Sequence, residues 1–329
     1  MGWALLGAGL LLALYTLLRH GLRPAVPPPR SPAALRGRTA IVTGGSGGIG
    51  AATALELARG GARVVLAARD ALRGEAAARR IRTETGNPEV RFMQLDLASL
   101  RSVRAFASAF LRQEPHLHLL INNAGVSAGG MTEDGFSLSF QVNHLGHFLL
   151  TQLLLERLQS CAPSRVVIVA SRAHCAGRLH PDTLGRPPPG PLSAFQDYCD
   201  SKLANMLHAR ELATRLQGTQ VTCYAVHPGF VNTELFRHTP LWLKPFFLPL
   251  VWLFFREAAE GAQTSLHCAT QEGLECFSGR YFADCRLQEP WPLARDDRLA
   301  RALWEASERL VGLVGAGESP SPAPAAVRQ

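Results

Sequence analysis

The sequence predicts an α/β fold: a doubly wound parallel sheet in a single domain, with an N-terminal membrane anchor. Three observations carry that reading. Short aliphatic runs alternate with helix-length amphipathic stretches from Thr39 to Phe282, a rhythm that implies right-handed crossovers and a sheet with helices on both faces. The first run leads directly into the glycine-rich turn Thr43-Gly44-Gly45-Ser46-Gly47-Gly48-Ile49-Gly50. The first eighteen residues contain no charged side chain, and Arg19, His20 and Arg23 follow them. Composition agrees: 329 residues, 47% hydrophobic and 18% charged, are globular proportions, enough for one large domain or two small ones. The net charge of +8 is spread without a dense Lys/Arg run, so no nucleic-acid partner is expected. Seven cysteines form no C-x-x-C pair and read as free thiols in a reducing compartment, with neither a disulfide framework nor a metal site.

Residues 1–23 read as the anchor, because eighteen helical residues span about 27 Å, close to the hydrocarbon thickness of a bilayer. No basic segment precedes the apolar run and no small-x-small site follows it before Arg19, which favours a retained anchor over a cleaved signal peptide. Leu6 stands where myristoylation would need Ser or Thr. Arg19, Arg23, Arg30, Arg36 and Arg38 would hold the domain on the cytosolic side, with the endoplasmic reticulum as the expected membrane. Residues 24–35 form a proline-rich linker, residues 36–312 the folded domain, and residues 313–329 a disordered tail.

Within the domain, Thr39–Val42 is a short buried strand, and the helix Ala51–Arg59 after the glycine turn is stopped by Gly60-Gly61. Glycines let backbone N–H groups approach a pyrophosphate, and a helix N-terminus adds partial positive charge, so this is the context of a Rossmann-type dinucleotide site. The spacing is G-x-x-x-G-x-G rather than G-x-G-x-x-G. The second strand, Arg63–Ala68, ends in Arg69-Asp70, where such folds meet the adenosine ribose. An acidic residue there would bind the 2′-hydroxyl of NAD. With Arg69 first, suited to a 2′-phosphate, NADP(H) is the expected cofactor, NADPH in preference to NADH.

The alternation continues through a helix at 72–84, a strand at 90–95, a helix at 99–113 and a strand at 117–121 leading to Asn122-Asn123-Ala124-Gly125. A long helix over 136–158 carries Val142-Asn143-His144, and a strand over 165–170 ends on Ser171, at the carboxyl edge where ligands collect. A long loop follows, then a helix over 193–216. The strand 221–226 leads to His227-Pro228-Gly229-Phe230-Val231-Asn232-Thr233. Residues 241–255 are strongly apolar but interrupted by Lys244, Pro245 and Pro249, so they do not form a clean spanning helix. A helix over 257–270 and a strand near 279–282 complete the expected sheet.

The helix over 193–216 places Tyr198 and Lys202 one turn apart on one face. Bringing a tyrosine from pKa ~10 to neutrality requires roughly 4 kcal/mol of preferential phenolate stabilisation, and a fixed ammonium with an oxidised nicotinamide could supply much of it. Alone, Y-x-x-x-K reads first as a packed tyrosine beside a solvated lysine.

The glycine turn, Asn-Asn-Ala-Gly, the asparagine, the serine, Y-x-x-x-K and Pro-Gly, in this order, resemble the short-chain dehydrogenase/reductase family over about residues 36–312. Within it the chain is similar to the membrane-anchored retinol dehydrogenase branch, through the apolar N-terminus, A-R-D, V-N-H-L-G-H-F, the long Ser-to-Tyr separation and H-P-G-x-V-N-T. Gly45-Ser46-Gly47 departs from that branch's G-A-N-S-G-I-G and removes side-chain bonds that brace the loop. The resemblance implies Tyr198 as proton donor or acceptor at the substrate oxygen, Lys202 as the group that depresses its pKa and binds the nicotinamide ribose, and Ser171 as hydrogen-bond partner of that oxygen. Asn143 would hold a water linking Lys202 to solvent. Gly44, Ser46, Gly48, Ile49 and Gly50 would line the pyrophosphate turn, and Asp96 would meet the adenine. Asn123 would brace sheet and cofactor, and Pro228, Gly229, Val231 and Thr233 would face the nicotinamide. Asn143 and Asp96 also read as helix-interior and helix-capping residues; His144, His147 and His174 read as structural or solvent-facing.

The anchor and the apolar stretch after the sixth strand, where this family builds its substrate lid, point to a lipophilic alcohol or carbonyl. By resemblance this is a retinoid, otherwise a fatty aldehyde or a sterol. Residues 241–255 could equally make a second membrane contact or pack on their own domain. The chain is compatible with a homodimer. Two other classes stay open: a non-catalytic NADP(H)-binding protein at a membrane surface, and a sugar-nucleotide epimerase or dehydratase, against which the turn spacing and the short C-terminal part argue.

Overall fold

The structure is a computed structural model that describes residues 35–229 and 257–314. The anchor, most of the linker, the apolar stretch at 241–255 and nearly all of the tail lie outside the described residues. Among the described residues, no helix is long and apolar enough to cross a membrane.

Eight strands form one sheet in the order β3-β2-β1-β4-β5-β6-β7-β8. They are β1 (Thr39–Thr43), β2 (Arg63–Ala68), β3 (Val90–Gln94), β4 (Leu119–Asn122), β5 (Ser164–Val169), β6 (Val221–His227), β7 (Tyr281–Ala283) and β8 (Arg286–Gln288). All neighbouring pairs are parallel except β7–β8. Strand order reverses between β1 and β4, which opens the crevice at their carboxyl ends. Both faces are covered, so the middles of the central strands are apolar on both sides. Ala40 and Val42 enter one core and Ile41 the other; Val167 and Val169 face away from Val166 and Ile168.

One face carries α1 (Gly48–Arg59), α2 (Ala71–Thr85) and α6 (Ala258–Thr270); the other carries α3 (Leu100–Gln113), α4 (Gly146–Ser160), α5 (Ser193–Arg215) and α7 (Asp297–Leu310). Local chemistry sets the helix ends. Asp70 caps α2 by accepting from the Arg73 amide at 3.0 Å, and Gly86 ends it at φ 68°. Ser99 caps α3, Asp296 caps α7, and Glu257 with Glu260 forms a capping box on α6. Arg63, at the start of β2, clamps the buried Glu114 carboxylate at 2.5 and 2.9 Å and so ties the sheet to the end of α3.

Three expectations are corrected. The helix predicted over 136–158 is not continuous: a short turn at Leu138–Phe140 runs into a π-helical turn, Gln141–Leu145, before α4 begins. The π turn is buried throughout, so no 3.6-residue polar/apolar period reveals it. The sheet does not end near Phe282. Asp284 and Cys285, at φ 54° and 56°, reverse the chain into the short exposed strand β8. The final helix α7 was not predicted, although its pattern is legible: Ala300, Leu303, Trp304 and Ser307 are buried on one face. Trp304 meets Phe148 edge-on at 4.9 Å and lies under the Arg215 guanidinium at 4.4 Å. All seven cysteines are free thiols.

Gly146 is where α4 approaches the backbone most closely, because a Cβ there would lie 2.8 Å from the Leu97 carbonyl. Ala in place of Gly inside a helix ordinarily gains about 1 kcal/mol; here the backbone cannot retreat. Gly146→Ala is expected to lose about 1–3 kcal/mol by denaturant unfolding. An unchanged or higher midpoint would contradict the close approach.

Candidate active site

The carboxyl ends of β1, β4, β5 and β6 assemble the site. Gly44 follows β1 at φ 67° and donates its amide to Ala67 O at 2.8 Å, and Gly48 opens α1 at φ 53°. A Cβ on Gly50 would sit 2.4 Å from Gly44 O and 2.5 Å from Asn123 Nδ2, so only glycine lets helix and turn close together. Gly47 caps α1 without a side-chain bond, and the first turn holds no acidic residue. Uncapped amides with positive dipole and no competing carboxylate fit a pyrophosphate. Ser46 and Ile49 sit half-buried in this turn. Asn123 braces it as expected, donating Nδ2 to Thr43 O at 2.8 Å.

Arg69 is exposed at the end of β2. Asp70 beside it caps α2, one carboxylate oxygen accepting from the Arg73 amide at 3.0 Å. Sequence reasoning missed Arg73, one turn further on: its Nη2 lies 3.8 Å from where a Gly47 Cβ would be, leaning over the glycine turn. The signal was a second arginine four positions after the first. Asp96 accepts from the Ala98 amide at 3.0 Å, a local cap at a half-buried strand end. Pro228 is buried directly after β6, and Gly229 follows at φ 85°. Val231 and Thr233 lie outside the described residues.

Ser171, Tyr198, Lys202 and Asn143 come together. Lys202 is buried inside α5 and donates Nζ to Val169 O at 3.0 Å, with Nζ 5.6 Å from the Tyr198 ring centroid. Burial lowers its pKa from 10.5 to about 8, so it stays charged at neutral pH. The Tyr198 phenol hydrogen-bonds Ser171. Burial raises its pKa and that bond pulls it partly back. The expected depression of the tyrosine is therefore not produced by the chain's own groups, because desolvation outweighs them. Asn143 Oδ1 accepts from Val126 N–H at 2.8 Å, and Nδ2 donates to Val126 O and Ser201 Oγ, each at 2.9 Å. Asn143 Oδ1 and Lys202 Nζ flank Gly125, each 3.4 Å from where its Cβ would be.

Surrounding carboxylates and histidines hold this arrangement. Asp197 accepts from Ser137 Oγ at 2.6 Å and Ser139 N at 3.1 Å; Asp200 accepts from Arg178 N at 2.6 Å. Burial raises both carboxyl pKa values. His174 Nε2 accepts from Trp291 N–H at 3.2 Å, so Nδ1–H donates to Ser171 O at 2.7 Å and steadies the serine from behind. His144 Nε2 meets Ser307 Oγ at 2.9 Å, joining the π turn to α7.

A doubly wound sheet, a glycine turn for a pyrophosphate and a serine, tyrosine and lysine at the carboxyl edge define a nicotinamide-dependent alcohol or carbonyl oxidoreductase. The comparisons agree. The family described as short chain dehydrogenase matches residues 38–182. The chain is 60% identical to human "Dehydrogenase/reductase SDR family member 13" over 319 residues, 97% of this chain and 84% of that one. It is 51% identical to human "Retinol dehydrogenase 12" over 294 residues, 85% and 88% of the two chains. Among solved structures, a Mycobacterium paratuberculosis protein superposes with a TM-score of 0.69 at 36% identity, covering 86% of this chain and 97% of that one. The "Pseudomonas aeruginosa RhlG/NADP active-site complex" superposes with a TM-score of 0.61 at 27% identity, covering 78% and 97%. The chain belongs to the short-chain dehydrogenase/reductase family.

The buried lysine has a stability signature. Its pKa is lower folded (about 8) than in the ordinary, unfolded range (10.5). The unfolded chain therefore binds more protons between those values, and stability rises with pH across that window. Below pH 8 the cost of burying the charge is present in full. Lys202→Met, with Val169 O still accepting from Asn205 Nδ2, is expected to gain about 1–3 kcal/mol at pH 7 in cofactor-free unfolding. That gain should shrink from pH 8 to 10.5; a gain independent of pH would count against it.

Proposed function

We propose that this chain is an NADP(H)-dependent oxidoreductase that moves hydride between the nicotinamide and a lipophilic alcohol or carbonyl, with retinal and retinol as the favoured pair. The observation that carries the chemistry is the half-buried Tyr198 phenol, bonded to Ser171 and overlooked by a charged Lys202. When bound, the nicotinamide supplies or accepts the hydride. In reduction, Tyr198 passes its proton to the substrate oxygen as negative charge develops there, while the Ser171 hydroxyl donates a hydrogen bond to the same atom. Lys202 then stabilises the phenolate left behind. A phenol held above its ordinary pKa is protonated throughout the neutral range, which suits the reductive direction. Oxidation needs the phenolate and is expected to rise with pH.

Arg69 supports NADPH, with Arg73 beside the turn as a second cation, and one similar solved structure is named as an NADP complex. Lipophilicity is supported at the entrance to the site. Leu192 and Phe195 are 71% and 55% exposed in the turn leading to Tyr198, and Met131 is 55% exposed. Gly129 brings the Met131 loop against Ala194. Three relatives named as retinol dehydrogenases point to a retinoid. Residues 1–23, with residues 241–255 as a second contact, would place this mouth at a membrane, the domain facing the cytosol, and a homodimer is the proposed assembly.

Turnover of all-trans-retinal by membranes carrying the full chain tests this reading. Tyr198→Phe is expected to lower the rate by at least about 10³-fold while leaving the NADPH Kd within about twofold. Arg69→Ala should weaken NADPH by about tenfold or more, a loss of roughly 1.4 kcal/mol, and NADH hardly at all. Equal losses for both cofactors would remove the 2′-phosphate assignment.

A further inference from the structure

His147 lies one turn beyond Asn143, fully buried, between the strand that ends in the glycine turn and the π turn that carries Asn143. Its two ring nitrogens have different partners. Nε2 is 2.8 Å from Thr43 Oγ1, and Nδ1 is 3.0 Å from Asn143 O. The tautomer follows from Thr43. Its oxygen accepts the Asn123 and Ala124 amide protons, each at 2.9 Å. Its own hydrogen has a choice between Ile121 O at 3.4 Å and His147 Nε2 at 2.8 Å, and the shorter bond is to the histidine. Nε2 is then an acceptor, so the proton sits on Nδ1 and is donated to the Asn143 carbonyl.

The result is one continuous hydrogen-bonded path. It starts at the residues that brace the glycine turn, passes through Thr43 and His147 to Asn143, and leaves by the Asn143 side chain. From there it reaches Val126 and Ser201, and Ser201 Oγ donates to Tyr198 O at 2.7 Å. We infer that His147 is a positioning residue, whose single tautomer couples the cofactor turn to the Asn143–Tyr198–Lys202 centre. This rests on the proposed reading of that centre.

The π turn fits such a role, since π bulges place helix residues off the regular period and concentrate at functional positions. His147 is held in place from its own backbone as well: its carbonyl accepts from Thr151 Oγ1, which in turn accepts from Asn122 Nδ2 at the end of β4. The charged and titratable groups around the ring are Lys202 and His208 from α5 and His144 from the π turn. Burial and the Lys202 charge lower the His147 pKa to about 4, the Asn143 carbonyl opposing them. The ring is therefore neutral, and the path intact, wherever the enzyme would work.

Backbone hydrogen exchange on the full chain, with and without NADPH and resolved to the Val126 amide, tests the coupling. In the parent chain NADPH should slow exchange both at residues 43–50 and at Val126. His147→Gln keeps an acceptor for Thr43 and lacks the Nδ1 donor; His147→Asn keeps a donor for Asn143 and does not reach Thr43. In each, protection at residues 43–50 should persist while the response at Val126 falls by about threefold or more. A full Val126 response in both variants would overturn the inference. In retinal turnover, both variants should lose kcat by about tenfold or more with the NADPH KM within about twofold; lower melting temperatures with kcat per folded site unchanged would mark the histidine as merely structural. An inactive parent would count against the retinal reading, and hydrogen exchange would still decide the coupling.

Discussion

Keeping one ammonium charged inside the protein is the constraint on which this structure turns. Desolvating an isolated cation costs several kcal/mol, and among the described residues the Lys202 ammonium meets one acceptor, Val169 O, to offset it. That carbonyl is usable because it ends a strand paired on both sides, to β4 and to β6, and so cannot drift. The lysine in turn must come from a helix that cannot drift either. Packing of α5 against β6, the π turn and α7 provides this, with Trp304, Phe148 and His208 meeting in one aromatic cluster. The sheet and its helices thus act as the frame for an electrostatically unfavourable position.

Polar residues buried near the site serve that frame more than the chemistry. Asp197 and Asp200 are carboxylates raised in pKa by burial, which hold the turn at Leu138–Phe140 and the segment after Ser171 through backbone amides. His174 fixes Ser171 from the main-chain side, and His144 fastens α7 to the π turn. Such groups cost stability unless each bond is made, so their geometry is determined as a set. Tyr198 stands apart: burial raises its pKa, and the Ser171 bond opposes that shift without overcoming it.

Much of this was legible in the chain. Apolar runs of four to seven residues with glycine or polar ends located the seven parallel strands, because a sheet covered on both faces has no polar alternation to hide it. Gly44, Gly48 and Gly50 announced a turn of close backbone approach, and the approach of Gly50 to Gly44 O is present. Less was legible where a feature depends on partners distant in sequence. Strand β8 is three exposed residues held only by its neighbour. The π turn has ordinary helical composition, and α7 was overlooked despite a readable pattern because the sheet seemed complete without it.

Sequence alone determined the family of folds, the glycine turn and which serine, tyrosine and lysine to look for at the carboxyl edge, since those depend on local periodicity and on residue chemistry at fixed spacings. Tertiary structure decided what each polar group does. Whether Lys202 is solvated or buried, and which nitrogen of His147 carries the proton, depend on atoms contributed by other elements. A hydrogen bond is settled by its partner's position to within a few tenths of an ångström, and no one-dimensional pattern carries that information.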